Sequence, residues 1–120
     1  MCGLGQRPVD LTVLANAHFY AVEFLVEISV QWPTDGDPSE LRRLTAAESA
    51  RAQELAAAGV IRRLWRVPGR HANWGVWRAR DATVLHNDLT SLPMYPWMSI
   101  VVHPLAAHPS DPEMPEVANV

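Results

Sequence analysis

The chain has 120 residues, of which 48% are hydrophobic and 19% charged, so it can form one globular domain and is not disordered. The formal net charge is −3 and the ten basic residues are spread along the chain, which argues against a nucleic-acid partner. The single cysteine, Cys2, excludes an internal disulfide and fits a reducing compartment, so a cytoplasmic location is expected. Glu23 and Glu27 interrupt the best apolar run, so no membrane span is predicted.

The first predicted element follows an N-terminal extension. Residues 1–20 show no clear hydrophobic period. Residues 22–31 then alternate strictly, with Phe24 and Val26 on one face and Glu23 on the other. This period-two pattern predicts a half-buried strand.

The longest predicted element is a helix that begins after a loop. Asp37 can cap it, Pro38 suits the first helical position, and Glu40 completes a capping box. We expect the helix to run to about Ala58, because Gly59 is a typical C-terminal stop.

Two strands, a second helix and a fourth strand follow. The strands are predicted over residues 60–67 and 71–78, and period two places His71 and Asn73 on the same face of the second of them. Asp81 is expected to cap the second helix. The fourth strand is predicted over residues 98–103.

The order β-α-β-β-α-β predicts the α+β class with ferredoxin-like topology, a four-stranded antiparallel sheet with both helices on one face. The domain is expected to span residues 21–110, with a flexible C-terminal tail over 111–120. A sheet this small leaves one face bare, so a homodimer or a larger homo-oligomer is predicted.

Glu48 is the most informative residue of the long helix. At about 100° per residue, it falls between Leu41 and Leu55 in the apolar stripe, with Leu44 close by. A carboxylate there is costly unless it is paired, protonated or used. Burial raises a carboxyl pKa and so produces a general base suited to neutral pH. The alternative is an ion pair with Arg51 or with an arginine of the next strand.

Several short motifs together resemble the muconolactone Δ-isomerase family. They are Leu64-Trp65-Arg66, Gly69, Ala72-Asn73-Trp74, Leu92-Pro93, Pro96, Met98 and His108-Pro109-Ser110, and they align without gaps from about Phe24 to Ser110. The resemblance implies a ferredoxin-like dimeric α/β barrel assembled into larger rings, commonly decamers. It also implies a cofactor-independent isomerase of aromatic catabolism that acts on a small-molecule lactone by a 1,3-proton shift.

The resemblance assigns roles to individual residues. Glu48 matches the family's proposed base, Asn73 matches a pocket asparagine, and His71 replaces a pocket tyrosine. Leu25 and Glu27 replace a histidine and a lysine that many family members carry on the first strand. If the family uses these basic residues to receive the substrate's carboxylate, muconolactone itself becomes a less suitable substrate.

Each candidate residue also has a simpler interpretation. His71 can be a half-exposed strand residue after a turn, and Asn73 can bond the backbone of that turn. Trp65 is predicted to lie in the core, with pocket lining as a secondary role. The cluster of arginines 62, 63 and 66 consists of solvated or interface charges, one of which could receive a substrate carboxylate.

Two other function classes stay open at this stage. One is a tailoring isomerase, cyclase or dehydratase that acts on a larger, polyketide-like natural product. The other is a non-catalytic binding or assembly module. The histidines His86, His103 and His108 fit no standard metal signature, so no metal site is predicted.

Overall fold

The computed structural model describes residues 21–113. Its elements in chain order are β1 (Val22–Val30), α1 (Pro38–Ala57), β2 (Ile61–Arg66), β3 (Ala72–Ala79), α2 (Ala82–Thr90) and β4 (Met98–Leu105), with a 3₁₀ turn at Tyr95–Trp97 before the last strand. The strands form one antiparallel sheet in the order β2-β3-β1-β4. The predicted α+β class and ferredoxin-like topology are confirmed.

The strand register divides the sheet into two faces. In the central pair, Phe24 lies opposite Trp77 and Val26 lies opposite Gly75. These residues are buried and define the inner face, against which the helices pack. The intervening residues, such as Glu27 opposite Trp74, define the outer face.

The core lies between the inner face and the two helices. Val26 and Trp77 are almost fully buried, and α1 contributes Leu55 while α2 contributes Leu85 and Leu89. Each fully buried leucine stabilises the fold by about 1.5–3 kcal/mol relative to an exposed one. This packing fixes α1 over the sheet and therefore fixes the position of Glu48.

The helix signals are largely confirmed. The Asp37 carboxylate accepts from the Ser39 backbone N–H at 2.9 Å, and the Asp81 carboxylate accepts from Val84 N–H at 2.9 Å. The expected capping box is wrong in one part, because the Glu40 carboxylate accepts two 2.7 Å bonds from Arg43 instead of reaching back to Asp37.

The core position predicted for Trp65 is wrong. Strict alternation along β2 places Trp65 on the same face as Ile61, which is buried. The register shifts between Ile61 and Arg63, however, so Trp65 lies opposite Trp74 on the outer face and is 46% exposed. A bulge of one residue moves every later side chain to the other face.

The predicted extension over residues 1–20 lies outside the described residues, as does the tail beyond Glu113. Within residues 21–113, none of the helices is both long enough and apolar enough to cross a membrane.

Candidate active site

A cavity of about 900 Å³ opens beside α1 at the end of the sheet where β1 and β2 end and β3 begins. All four predicted site residues, Glu48, Trp65, His71 and Asn73, contribute to its wall. Six of the remaining lining residues are apolar or aromatic: Val30, Trp32, Leu41, Leu64, Ala72 and Met94. The other three are polar: Gln31, Thr45 and Arg66. The fold therefore gathers residues that are distant in sequence around one space.

Glu48 projects from α1 into this cavity and is half-buried. Its Oε1 atom accepts a hydrogen bond from the Met94 backbone N–H at 3.0 Å. Burial raises the pKa of the Glu48 carboxyl above its usual value, and the Met94 N–H bond opposes that shift only in part. A carboxyl held in this way is a stronger base than an exposed glutamate.

The ion-pair alternative for Glu48 is not what the structure shows. Arg51 pairs with Glu54 at 2.9 Å and donates to the Ser91 hydroxyl at 3.0 Å. Among residues 21–113, no arginine or histidine nitrogen lies within ion-pair distance of the Glu48 carboxylate. The charge of Glu48 is thus left available to a ligand.

Asn73 lies on the inner face of β3, directly opposite Ile28 of β1 and Arg66 of β2. Its Oδ1 atom is buried and has no hydrogen-bond partner in the structure, so Asn73 does not cap the preceding turn through this atom. A buried polar atom without a partner costs about 1–3 kcal/mol, and such atoms in a cavity are typical of ligand-binding positions. An amide presents both an acceptor and two donors, so Asn73 can bond either kind of ligand atom.

His71 is exposed at the cavity rim, immediately before β3. Its carbonyl accepts from the Val30 backbone N–H at 3.0 Å, which ties the rim to the end of β1. His71 also lines a smaller, more polar depression next to the main cavity, together with Arg70, Ser29 and Ser99. The imidazole therefore stands between the cavity and this depression.

Trp65 contributes an edge of the cavity rather than its floor. The Arg63 guanidinium lies 4.7 Å from the centre of the Trp65 ring, and both side chains belong to the outer face. This cation–π contact holds the indole at the border between the cavity and the outer face.

Trp32 and the Met94 backbone are parts of the site that residue patterns did not reveal, whereas Arg66 is one of the three arginines that the sequence offered as candidates. The Trp32 indole packs against Trp97 with 4.7 Å between ring centres, and its Nε1 atom is buried without a hydrogen-bond partner. A Cβ atom at Gly36 would stand only 2.4 Å from that Nε1 atom, so the turn after β1 needs a glycine there. The one available signal was this glycine, four residues after a tryptophan.

The two substituted positions of the first strand lie away from the cavity. Leu25 and Glu27 belong to the outer face, where the Glu27 carboxylate meets His103 Nε2 at 2.6 Å. Within one protomer they cannot contact a ligand bound against Glu48. The absence of a histidine and a lysine at these two positions therefore gives no argument about which substrate binds in that protomer's cavity.

The fold and the cavity together define a class of protein: a ferredoxin-like α+β domain with a half-buried, unpaired carboxylate in an aromatic-rich pocket. The family model described as muconolactone delta-isomerase matches residues 22–111, and the chain belongs to that family. The predicted family, and with it the class of intramolecular isomerases, is confirmed.

Individual relatives agree with this assignment. The chain is 40% identical over 87 residues to a muconolactone Delta-isomerase of Pseudomonas aeruginosa, covering 72% of this chain and 91% of the relative. It is 36% identical over 88 residues to one of Rhodococcus opacus, covering 73% and 95% respectively. A crystal structure of muconolactone isomerase superposes with a TM-score of 0.72 at 38% identity, covering 76% of this chain and 95% of that one.

Within residues 21–113, no group of three or more histidine, cysteine, aspartate or glutamate side chains is placed to hold a metal ion.

Proposed function

We propose that this chain is a cofactor-independent isomerase that moves a proton between two carbons of an unsaturated lactone, and that muconolactone, named in its relatives, is the first substrate to test. The observation that supports this most strongly is Glu48. It is a half-buried carboxylate with a raised pKa and no ion-pair partner among the described residues, and it faces an open cavity.

The proposed reaction needs one base. The double bond of the lactone is conjugated with its carbonyl group. The Glu48 carboxylate removes a proton from the saturated ring carbon that is attached to the far end of this double bond. The electron pair of the broken C–H bond enters the π system and gives a dienolate. The Glu48 carboxyl then delivers the proton to the carbon next to the carbonyl, and the double bond moves by one position. One C–H bond breaks and one forms, so Glu48 returns to its starting state.

The negative charge of the dienolate is carried by the carbonyl oxygen, which calls for hydrogen-bond donors. The Asn73 amide N–H₂ group and the Trp32 Nε1–H are the donors suited to this role, because both residues line the cavity. The Trp32 Nε1 atom has no hydrogen-bond partner in the structure, and an N–H donor bonds a charged oxyanion more strongly than a neutral carbonyl. His71 at the rim is a further donor.

The direct test is turnover of muconolactone by the purified protein, followed by ultraviolet absorbance. The account predicts conversion to the enol-lactone by the wild type and loss of nearly all turnover in Glu48→Gln. Full activity of that variant would refute the role of Glu48. Absence of conversion by folded wild-type protein would refute muconolactone as the substrate.

A second candidate function is the tailoring of a larger natural-product intermediate. The volume of the cavity supports this second function. About 900 Å³ lies in the range that accommodates drug-sized ligands and is larger than one lactone ring requires. Turnover of polycyclic lactones with rates well above those for muconolactone would support this alternative. The non-catalytic module is disfavoured, because an open cavity reaches an unpaired Glu48.

We also propose that the chain forms a homodimer, assembled into larger rings such as the decamer that the resemblance implies. The outer face supports this proposal, since Trp74, Val101 and Leu105 are 42–50% exposed there. Light scattering after size-exclusion chromatography measures the assembly directly. A monomer at micromolar concentration would contradict the proposal. The cytoplasmic location and the domain limits at residues 21 and 110 stay predictions, to be tested by cell fractionation and limited proteolysis.

A further inference from the structure

The three arginines of β2 have the same charge but three different environments. Arg62 pairs with Glu23 at 3.4 Å. Arg63 lies over the Trp65 ring on the outer face. Arg66 lines the cavity and has no ion pair with any acid in residues 21–113. Of the three, only Arg66 is free to meet a ligand inside the cavity.

The position of Arg66 relative to Asn73 is set by the sheet. The two residues are directly opposite in the β2–β3 ladder. Side chains in such a pair begin about 4.5–5.5 Å apart on the same face, so both can touch one small ligand. The guanidinium is thus placed beside the amide that we propose to stabilise the dienolate.

Arg66 and Glu48 share the cavity without neutralising each other. Burial and the Met94 N–H are the causes of the shift in the pKa of Glu48, and no arginine charge is among them. A cation next to a carboxylate lowers its pKa and weakens it as a base. The separation keeps Glu48 basic and leaves the positive charge for a second anion.

We propose that Arg66 binds a carboxylate carried by the substrate and so determines specificity for unsaturated lactones with an acidic side chain. This inference rests on the proposed isomerase function. An anionic substrate is repelled by the half-buried Glu48 carboxylate, and the Arg66 guanidinium offsets that repulsion. The planar guanidinium can hold a carboxylate by two parallel hydrogen bonds. This would orient the lactone ring so that the carbon that loses its proton faces Glu48.

The kinetic test compares Arg66→Gln with wild type on muconolactone and on its neutral methyl ester. Loss of a charge-assisted pair predicts a KM for the acid raised by about 10- to 100-fold, with kcat changed by less than about twofold. The ester should be converted equally by both proteins. Arg66→Lys should recover part of the lost affinity for the acid, because lysine keeps the positive charge but cannot donate two parallel hydrogen bonds.

Arg42→Gln is the matched control. Arg42 is an exposed residue of α1 that does not line the cavity, so the same change of charge should leave both substrates unaffected. Equal losses with acid and ester in Arg66→Gln would overturn the proposal, as would an unchanged KM for the acid. A rise in KM for Arg70→Gln but not for Arg66→Gln would also overturn it and move the carboxylate to the neighbouring depression.

A binding measurement separates this proposal from the proposed reaction. Calorimetry with muconolactone on Glu48→Gln needs no turnover, and adding Arg66→Gln to that variant should weaken binding by about tenfold or more. If wild type binds but does not convert muconolactone, the reaction is refuted while the Arg66 assignment is still decided by this comparison. Equal binding by the single and double variants would overturn the assignment of Arg66.

Discussion

Replacing Glu48 by glutamine should remove activity and, at neutral pH, leave the fold at least as stable as wild type. Glutamine keeps an oxygen that can accept from the Met94 N–H, a bond of 3.0 Å in the wild type, so the contact between α1 and the segment before β4 is retained. It also removes a charge that burial disfavours. Loss of a general base costs about 10²- to 10⁴-fold in rate.

The sign of the stability effect follows from the raised pKa of Glu48. The folded state favours the protonated carboxyl, so its contribution to stability is fully present below pH 4.5 and is lost as pH rises through the raised folded pKa. The glutamine variant has no such loss. Its free energy of unfolding should therefore exceed that of wild type above this pKa, and the difference should disappear below it. Glu48→Ala is the contrasting variant, because it leaves the buried Met94 N–H without its acceptor at a cost of about 1–3 kcal/mol.

The assay pairs urea unfolding at pH 4 and pH 8 with initial rates on muconolactone for wild type, Glu48→Gln and Glu48→Ala. The expected order of stability at pH 8 places glutamine at or above wild type and alanine below it. A glutamine variant that is clearly less stable than wild type at pH 8 would show that the Glu48 charge stabilises the fold, and the reasoning from burial would be refuted.

Three further predictions concern the cavity and its support. The wild-type kcat/KM should fall as pH decreases through the raised pKa of Glu48, with the midpoint above 4.5, and a midpoint at or below 4.5 would contradict the effect of burial. Gly36→Ala should displace the Trp32 indole, since the new Cβ would lie 2.4 Å from Nε1, and should cost about 1–3 kcal/mol and change tryptophan fluorescence; an unchanged spectrum and stability would contradict the close packing. Leu55→Ala should lower the free energy of unfolding by about 2–5 kcal/mol, because Leu55 is 3% exposed, whereas a cost below 1 kcal/mol would place it outside the core.

The parts of the site that sequence predicts are those set by local periodicity. Asp37 caps the start of α1 and Gly59 follows its end, and the helical period then places Glu48 on the same side as the buried Leu44 and Leu55, as observed. Alternation along β3 likewise places Asn73 on the face that carries Trp77. Both arguments need only the regular geometry of a helix or a strand.

The parts that sequence did not predict depend on irregular or long-range structure. One extra residue in β2 turns Trp65 outward and Arg66 towards the cavity, and no residue pattern marks that bulge. The bond to Glu48 comes from a backbone N–H at Met94, 46 residues away, and every residue except proline carries that group. Which of the three arginines of β2 can contact a ligand likewise depends on tertiary contacts, and the sequence does not predict them.

The most direct test of the account is proton NMR of muconolactone incubated with the protein in D₂O, with Glu48→Gln measured in parallel. The account predicts that wild type forms the enol-lactone, with deuterium at the carbon next to the carbonyl wherever the Glu48 carboxyl exchanges its proton with solvent before delivery. The variant should leave the substrate unchanged over the same time. A folded wild-type protein that forms no enol-lactone, or a variant that forms it at the wild-type rate, would contradict the claim that Glu48 transfers the proton.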